Sequence, residues 1–101
     1  MANYAELFSI QNDPTLRNKI QVACVVKAQA LIDLASPTDN QVAWANNALT
    51  NPTQMMVKIM PYVLAANKSA TTSQITGASD STVQTNVDAA VDKLIAGGVV
   101  S

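Results

Sequence analysis

The most chemically reactive side chain in this sequence is its single cysteine, Cys24, because a thiolate can act as a nucleophile or as a metal ligand. Cys24 lies in the apolar run 22–26, and the chain contains no histidine that could serve as its base. One thiol is also too few for an internal disulfide or for a zinc site of several cysteines. We therefore expect Cys24 to be a small buried hydrophobic residue.

Two carboxylates, Asp88 and Asp92, lie four residues apart and would share one face of a helix. Together with a third ligand they could hold a divalent cation, but two carboxylates rarely suffice for Ca²⁺. The spacing is better explained by a solvated helix face opposite an apolar stripe. The sequence therefore predicts no metal site.

Three cations, Arg17, Lys19 and Lys27, fall on one predicted helix and could contact an acidic partner or packaged DNA. The whole chain has six basic and seven acidic residues and a net charge of −1, so it offers no broad basic surface for phosphates. Solubility or ion pairing between subunits explains these cations better. The charge balance argues against nucleic acid as a partner.

The residues needed for common catalytic machinery are missing from the sequence. Histidine is absent, glycine occurs only three times, and there is no glycine-rich phosphate loop and no nucleophile paired with a base. We expect a protein that is not an enzyme and that uses no cofactor and no small-molecule substrate.

Several large apolar residues exceed the needs of a small core. Methionine repacks readily against varied partners, but it also fills cores, and the sequence does not separate these two interpretations. Ile75 could pin its loop to the body of the protein or insert into a neighbour. The candidate partner-binding residues are Trp44, Met55, Met56, Met60, Tyr62, Ile75, Val99 and Val100.

The composition favours burial against other proteins. The chain has 101 residues, 49% of them apolar and only 13% charged, while Asn, Gln, Ser and Thr together supply 32. So short a chain has room for one core of modest stability, which contacts with copies of itself or with a larger partner can extend. Polar but uncharged surface is less costly to desolvate than ionised groups, so it suits extensive contacts.

The pattern of helix starts and apolar spacing predicts one all-α domain over residues 1–101, a compact bundle of four or five helices. No run alternates with period two. A short helix is predicted over about 3–10, and a long central helix begins at Asp13-Pro14 and runs to about Ala35. This long helix is apolar around most of its circumference, which is typical of the middle of a bundle or of an assembly.

After residue 38 the sequence next predicts two more helices, the second of which Pro61 interrupts. Residues 39–49 form one helix with Val42, Ala45, Ala48 and Leu49 inward and Trp44 off that stripe. Another starts at Asn51-Pro52, and Pro61 should kink it or start a new short helix.

A Ser/Thr-rich loop is predicted over 67–79, and the last helix begins at Asp80 or Ser81 and stops at Gly97-Gly98. The tail 97–101 follows, and we expect it and the loop to become ordered on a partner. No apolar run is long enough to span a bilayer, and the first residues lack a basic signal region, so we expect synthesis in the cytoplasm without export.

Six short segments together resemble the small helical virion proteins of tailed bacteriophages. They are YAELF at 4–8 followed by NDPTLRNKIQVA at 12–23, then QVAWA at 41–45 followed by Asn51-Pro52, and finally Ile75-Thr76 followed by DSTVQTNV at 80–87. The likeness covers nearly the whole chain, as a pattern rather than as a diagnostic motif. The Ser/Thr-rich loop and the apolar tail depart from it.

The resemblance implies a structural component of the virion, present in many copies and without catalytic residues. It would bridge larger subunits at the head–tail connector (the neck) or on the capsid, with the neck slightly favoured. Its partners would be portal, adaptor or capsid proteins and copies of itself. The alternative is a small cytosolic regulatory module that binds one host protein and is not part of the virion.

Overall fold

The computed structural model describes residues 9–67 and 72–101, and every regular element in that part of the chain is a helix. The all-α prediction is therefore confirmed. Residues 9–11 are helical, and the rest of the predicted first helix lies outside the described residues. The other helices are α1 (Pro14–Ile32), α2 (Asp39–Thr50), α3 (Pro52–Ala66), α4 (Thr72–Thr76) and α5 (Asp80–Ala96).

Side-chain caps fix the starts of three helices. A carboxylate oxygen of Asp13 accepts a hydrogen bond of 2.8 Å from the backbone N–H of Leu16 at the start of α1. Thr38 and Gln41 form a reciprocal capping box at α2, with bonds of 2.8 and 3.2 Å. The cap of α5 is Ser79, which precedes the predicted start, and its hydroxyl accepts from the N–H of Thr82 at 3.2 Å.

The long helix α1 ends at Ile32 and not at about Ala35 as predicted. The helix closes with a tighter turn, because the backbone N–H of Leu34 bonds to the carbonyl of Leu31, three residues back, at 3.3 Å. Leu34 is exposed, so no apolar contact rewards another helical turn. Ser36-Pro37 then disfavours helical backbone at the residue before the proline.

Pro61 does not start a new helix, because α3 continues through it to Ala66. Proline lacks the N–H that would bond to the carbonyl of Val57, but Val57 and Pro61 both lie on the exposed side of α3. Water can therefore reach the unpaired carbonyl, and the helix is not forced to end.

The segment 67–79 is not a continuous loop, because α4 forms within it. Ile75 is buried in the core and pins this segment to the body of the protein. The N–H of Gly77 bonds to the carbonyl of Ser73 at 2.9 Å and closes the short helix. A Cβ atom at Gly77 would lie 2.7 Å from that same carbonyl oxygen, so only glycine fits without a shift of the backbone.

α1 packs against α2, α3 and α5 and leaves one of its sides exposed to solvent. The prediction for α2 was wrong at two positions, because Trp44 is buried and Leu49 is exposed. The large indole fills the interior beside Ala45 and Ala48, whose small side chains leave room for it. The most deeply buried large side chains are Trp44, Ile10, Leu16, Ile20, Ile59, Val83, Val87, Val91 and Cys24.

Polar side chains join α1 to α5 and to the segment before it. The Lys19 ammonium donates to the carbonyl of Ala78 at 2.8 Å, and Lys27 forms an ion pair with Asp92 at 2.9 Å. The amide of Gln84 donates to the carbonyl of Ala23 at 3.1 Å and to a carboxylate oxygen of Asp88 at 2.8 Å. Asp88 is thus partly buried near the junction with α1, whereas the side chain of Asp92 stays 63% exposed, as predicted for a solvated face.

The described part of the chain contains neither a candidate metal-binding cluster nor a helix that could span a membrane. Within residues 9–67 and 72–101, no three acidic, histidine or cysteine residues are grouped so that they could hold a metal ion. No described helix combines the length and the apolar character needed to cross a membrane.

Candidate protein-interaction surfaces

The eight residues predicted to bind partners divide into an interior set and a surface set. Tyr62 and Val99 are exposed, and Val100 is partly buried and packs against the core. The remaining five are core residues: Trp44, Met55, Met56, Met60 and Ile75. The methionines thus fill the core of the isolated chain and do not form an adaptable outer surface.

An apolar cavity of about 390 Å³ brings four of these eight residues together: Trp44, Met55, Tyr62 and Val99. Its wall is completed by Leu94 from α5 and by Lys58, Ile59 and Pro61 from α3, with Ser101 at the end of the chain. Trp44 and Met55 reach the cavity from inside, whereas Tyr62 and Val99 stand at its mouth. Half of the candidate partner-binding residues thus line one cavity, and their binding role stays a prediction.

The C-terminal tail is fixed in place as one wall of this cavity. The side-chain amide of Asn47 donates a hydrogen bond of 2.7 Å to the carbonyl of Val100. The N–H of Val99 donates to the carbonyl of Leu94 at 2.9 Å. Gly98 makes the turn between them with φ of 81°, a left-handed conformation that favours glycine. The tail is thus held by contacts within the chain, and a partner is not needed to order it.

Among the residues that the structure describes, the indole nitrogen of Trp44 has no hydrogen-bond partner, although the side chain is only 1% exposed. It is the one buried side-chain nitrogen or oxygen in the described residues left in this state. A buried donor without an acceptor is unfavourable by about 1–3 kcal/mol. Trp44 also lines the first cavity, so the unpaired indole N–H belongs to a residue of the cavity wall.

A second cavity, of about 530 Å³, continues from the first along α3 and α5. Tyr62 and Leu94 border both cavities, and four alanines and two polar residues complete the second: Ala65, Ala66, Ala89, Ala90, Asn86 and Lys93. Because higher numbers on α3 meet lower numbers on α5, the two helices run antiparallel. We call the two cavities together the α3–α5 groove.

The α3–α5 groove lies on the side of its two helices that faces away from α1. On α3, Thr53 faces α1, where its hydroxyl donates to Gln21 at 3.4 Å, and Tyr62 lies about half a turn away around the helix. On α5, Gln84 donates to the carbonyl of Ala23 of α1, and Lys93 lies about half a turn away around the helix. The groove thus opens on the far side of the bundle from α1.

A second apolar surface lies on the solvent side of α1. Val22, Val26, Val25 and Ile32 lie opposite the buried stripe of this helix, and Val22 and Val26 are 54% and 50% exposed. Lys27 is the one charged residue between Lys19 and Asp33, and it turns towards α5 to pair with Asp92. We call these four apolar residues the α1 outer face, and it carries no charge.

The α1 outer face was missed as a set of candidate binding residues. The signal was present, because α1 is apolar around most of its circumference and only one side of a helix can face the core of its own bundle. Deciding which residues stay outside requires knowing where α2, α3 and α5 pack, and the sequence does not give that placement.

Cys24 is fully buried, as predicted. Burial disfavours the charged thiolate and raises the pKa of Cys24 to about 12. The thiol therefore stays protonated and enclosed in the native protein at neutral pH, and the interpretation as a small hydrophobic core residue is confirmed.

Comparison of this chain with protein-family models, with curated proteins and with solved structures found no match. The resemblance to virion proteins of tailed phages stays a prediction from the sequence.

Proposed function

We propose that this chain is a non-enzymatic structural protein that bridges two larger subunits in the virion of a tailed phage. The head–tail connector is the favoured location, and the capsid is the other. One observation carries the proposal: the α1 outer face and the α3–α5 groove are apolar surfaces on opposite sides of a single small bundle.

The α1 outer face supports a permanent contact because three of its four apolar side chains are neighbours, with exposed Gln29 between them and Ile32. Val22, Val25 and Val26 follow one another around the outside of one helix, with Ile32 two turns further along. Contiguous apolar surface on a small protein is a mark of interaction with another protein. The absence of charge on this face lowers the desolvation cost of covering it.

The opposite placement of the two surfaces supports bridging. A protein that binds a single partner needs only one apolar surface. Two surfaces separated by the thickness of the bundle allow one subunit to be held on each side. The virion as the location rests on the sequence resemblance and on the composition, which has few charges and many amides and hydroxyls.

Quantitative mass spectrometry of purified particles tests the proposal. In particles of the phage that encodes this chain, we expect a copy number that matches the symmetry of the portal or of the capsid. Absence from particles, with abundant protein in the lysate, would overturn the proposal and support the cytosolic regulatory module instead.

Variants supplied during particle assembly test the surface itself. Val26→Glu places a charge on the α1 outer face and should reduce incorporation at least tenfold. Asn46→Glu places the same charge on an exposed position of α2 outside both surfaces and should be incorporated normally. Equal incorporation of the two variants would show that the α1 outer face is not a contact in the particle.

A further inference from the structure

We propose that the α3–α5 groove binds an amphipathic helix of another protein, one whose apolar residues fill the two cavities and whose carboxylates meet Lys58 and Lys93. This inference goes beyond the proposed function, because it gives the chemistry of the segment that occupies one surface and holds wherever the protein is located.

The charges around the groove define the occupant. Lys58 borders the first cavity and Lys93 the second, and neither cavity has an aspartate or glutamate in its lining. An occupant with acidic side chains beside its apolar stripe would complement both lysines, whereas a basic segment would be repelled.

Lys58 and Lys93 also differ from the other described cations in having no partner among residues 9–67 and 72–101. Arg17 donates to the carbonyl of Gln11 at 3.1 Å, and Lys19 and Lys27 likewise bind within the chain. Neither Lys58 nor Lys93 forms a side-chain hydrogen bond or ion pair with the residues that the structure describes. The two ammonium groups that border the groove are thus available to carboxylates from outside.

The dimensions of the groove suit a helix. Its α3 side runs from Met55 to Ala66, which spans about 16 Å or three helical turns. The alanines of the second cavity are small enough for another helix to approach closely. Large apolar side chains at helical spacing on the occupant could enter the two cavities, with Tyr62 between them.

Tyr62 is a suitable anchor for such a contact. It is 48% exposed at the mouth of the first cavity, and tyrosine is enriched among residues that dominate binding energy. Trp44 borders the same cavity from inside and is only 1% exposed. An occupant in the first cavity would therefore change the surroundings of the indole. Trp44 is the only tryptophan in the chain, so the tryptophan fluorescence comes from one residue beside this cavity.

Selection from a displayed peptide library tests the proposal with the full chain. The probe is a set of helical peptides of about four turns with a fixed apolar stripe and randomised flanking positions. We expect selected peptides to be enriched in aspartate and glutamate beside the stripe. No enrichment over the starting library, or enrichment without a bias in charge, would overturn the proposal.

Titration of a selected peptide, followed by Trp44 fluorescence, tests the site. Ala89→Leu narrows the second cavity from an exposed position and should weaken binding at least tenfold, while Ala30→Leu makes the same exchange on α1 and should not. Lys58→Gln should weaken binding about threefold to fivefold, whereas Asn46→Asp, which makes the same change in net charge elsewhere, should have no effect.

Two results would contradict the assignment. Binding that is equal for the chain and for Ala89→Leu would place the peptide outside the groove. Sedimentation velocity tests whether a second copy of the chain occupies the groove instead. Self-association that Ala89→Leu or Lys58→Gln abolishes would show that it does. Either result leaves the proposed function open to its own test on particles.

Discussion

Asn47 and Val100, which are 53 positions apart in the sequence, are joined by a hydrogen bond of 2.7 Å from the side-chain amide to the backbone carbonyl. Asn47 lies on α2, and Val100 is the penultimate residue of the chain. The bond holds the tail over the cavity that Trp44 borders, so the wall of the α3–α5 groove depends on a contact with α2.

Replacement of Asn47 should release the tail. Asn47→Ala removes the donor, leaves the partly buried carbonyl of Val100 unpaired, and should cost about 1 kcal/mol of unfolding free energy. We expect faster hydrogen exchange at the N–H of Val99 as the tail becomes mobile. Asn46→Ala alters the exposed neighbour and should leave this exchange rate unchanged, so equal exchange in both variants would contradict a fixing role for Asn47.

The two sides of α1 should respond differently to truncation. Ile20 is fully buried and Val22 is 54% exposed, although they are two residues apart. Ile20→Ala should destabilise the isolated protein by about 2–5 kcal/mol, because it leaves a cavity in the core. Val22→Ala should change the free energy of unfolding by no more than about 0.5 kcal/mol. Urea unfolding measures both.

A large cost for Val22→Ala would mean that the α1 outer face is already covered in solution. Sedimentation velocity on the same samples would then distinguish a self-associated protein from a monomer.

Helix starts could be predicted from the sequence because they depend on local chemistry. Asp13 and Thr38 accept bonds from backbone N–H groups three residues ahead, so the identity of the cap residue suffices. The end of α1 could not be placed so well, because Leu34 is apolar and continues the pattern. Whether it finds a neighbour depends on where α2 lies, and it does not find one.

The candidate surfaces could be predicted only in part, because they also depend on how the helices pack against one another. Tyr62 and Val99 stand out in the sequence as apolar residues beyond the needs of a small core, and they border the first cavity. Ala65 and Ala89 border the second cavity but have no feature that marks them in the sequence. Their role comes from the antiparallel packing of α3 on α5, which brings alanines from distant segments together.

Burial of Cys24 should make protein stability depend on alkaline pH. The pKa of its thiol is about 12 in the folded state, compared with an ordinary value of 9.0. Above pH 9 the unfolded chain loses this proton and the folded chain keeps it, so the free energy of unfolding falls as the pH rises from 9 towards 12.

Denaturant unfolding across this pH range measures the effect as the difference between the chain and Cys24→Ala, which cancels the titration of lysines and tyrosines. We expect this difference to change with pH above 9 and to stay constant below it. A thiol reagent at pH 8 should label the chain only as it unfolds. Rapid labelling of the native protein would contradict the enclosed position of Cys24.

The glycines at the ends of α4 and α5 allow a matched test of local packing. A Cβ atom at Gly77 would lie 2.7 Å from the carbonyl oxygen of Ser73, whereas one at Gly97 would meet nothing closer than 3.5 Å. Gly77→Ala should therefore force the backbone after α4 to shift and should cost about 1–3 kcal/mol of unfolding free energy.

Gly97→Ala should leave stability unchanged within about 0.5 kcal/mol, because its Cβ makes only ordinary contacts. Thermal unfolding of both variants measures the difference. Since Ile75 is anchored in the core two residues before Gly77, the shift should also loosen Ile75, and its methyl signals should broaden in NMR spectra of Gly77→Ala. Equal stability of the two variants would show that the segment after α4 accommodates the added carbon without strain, and that Ser73 and Gly77 can move apart at no cost.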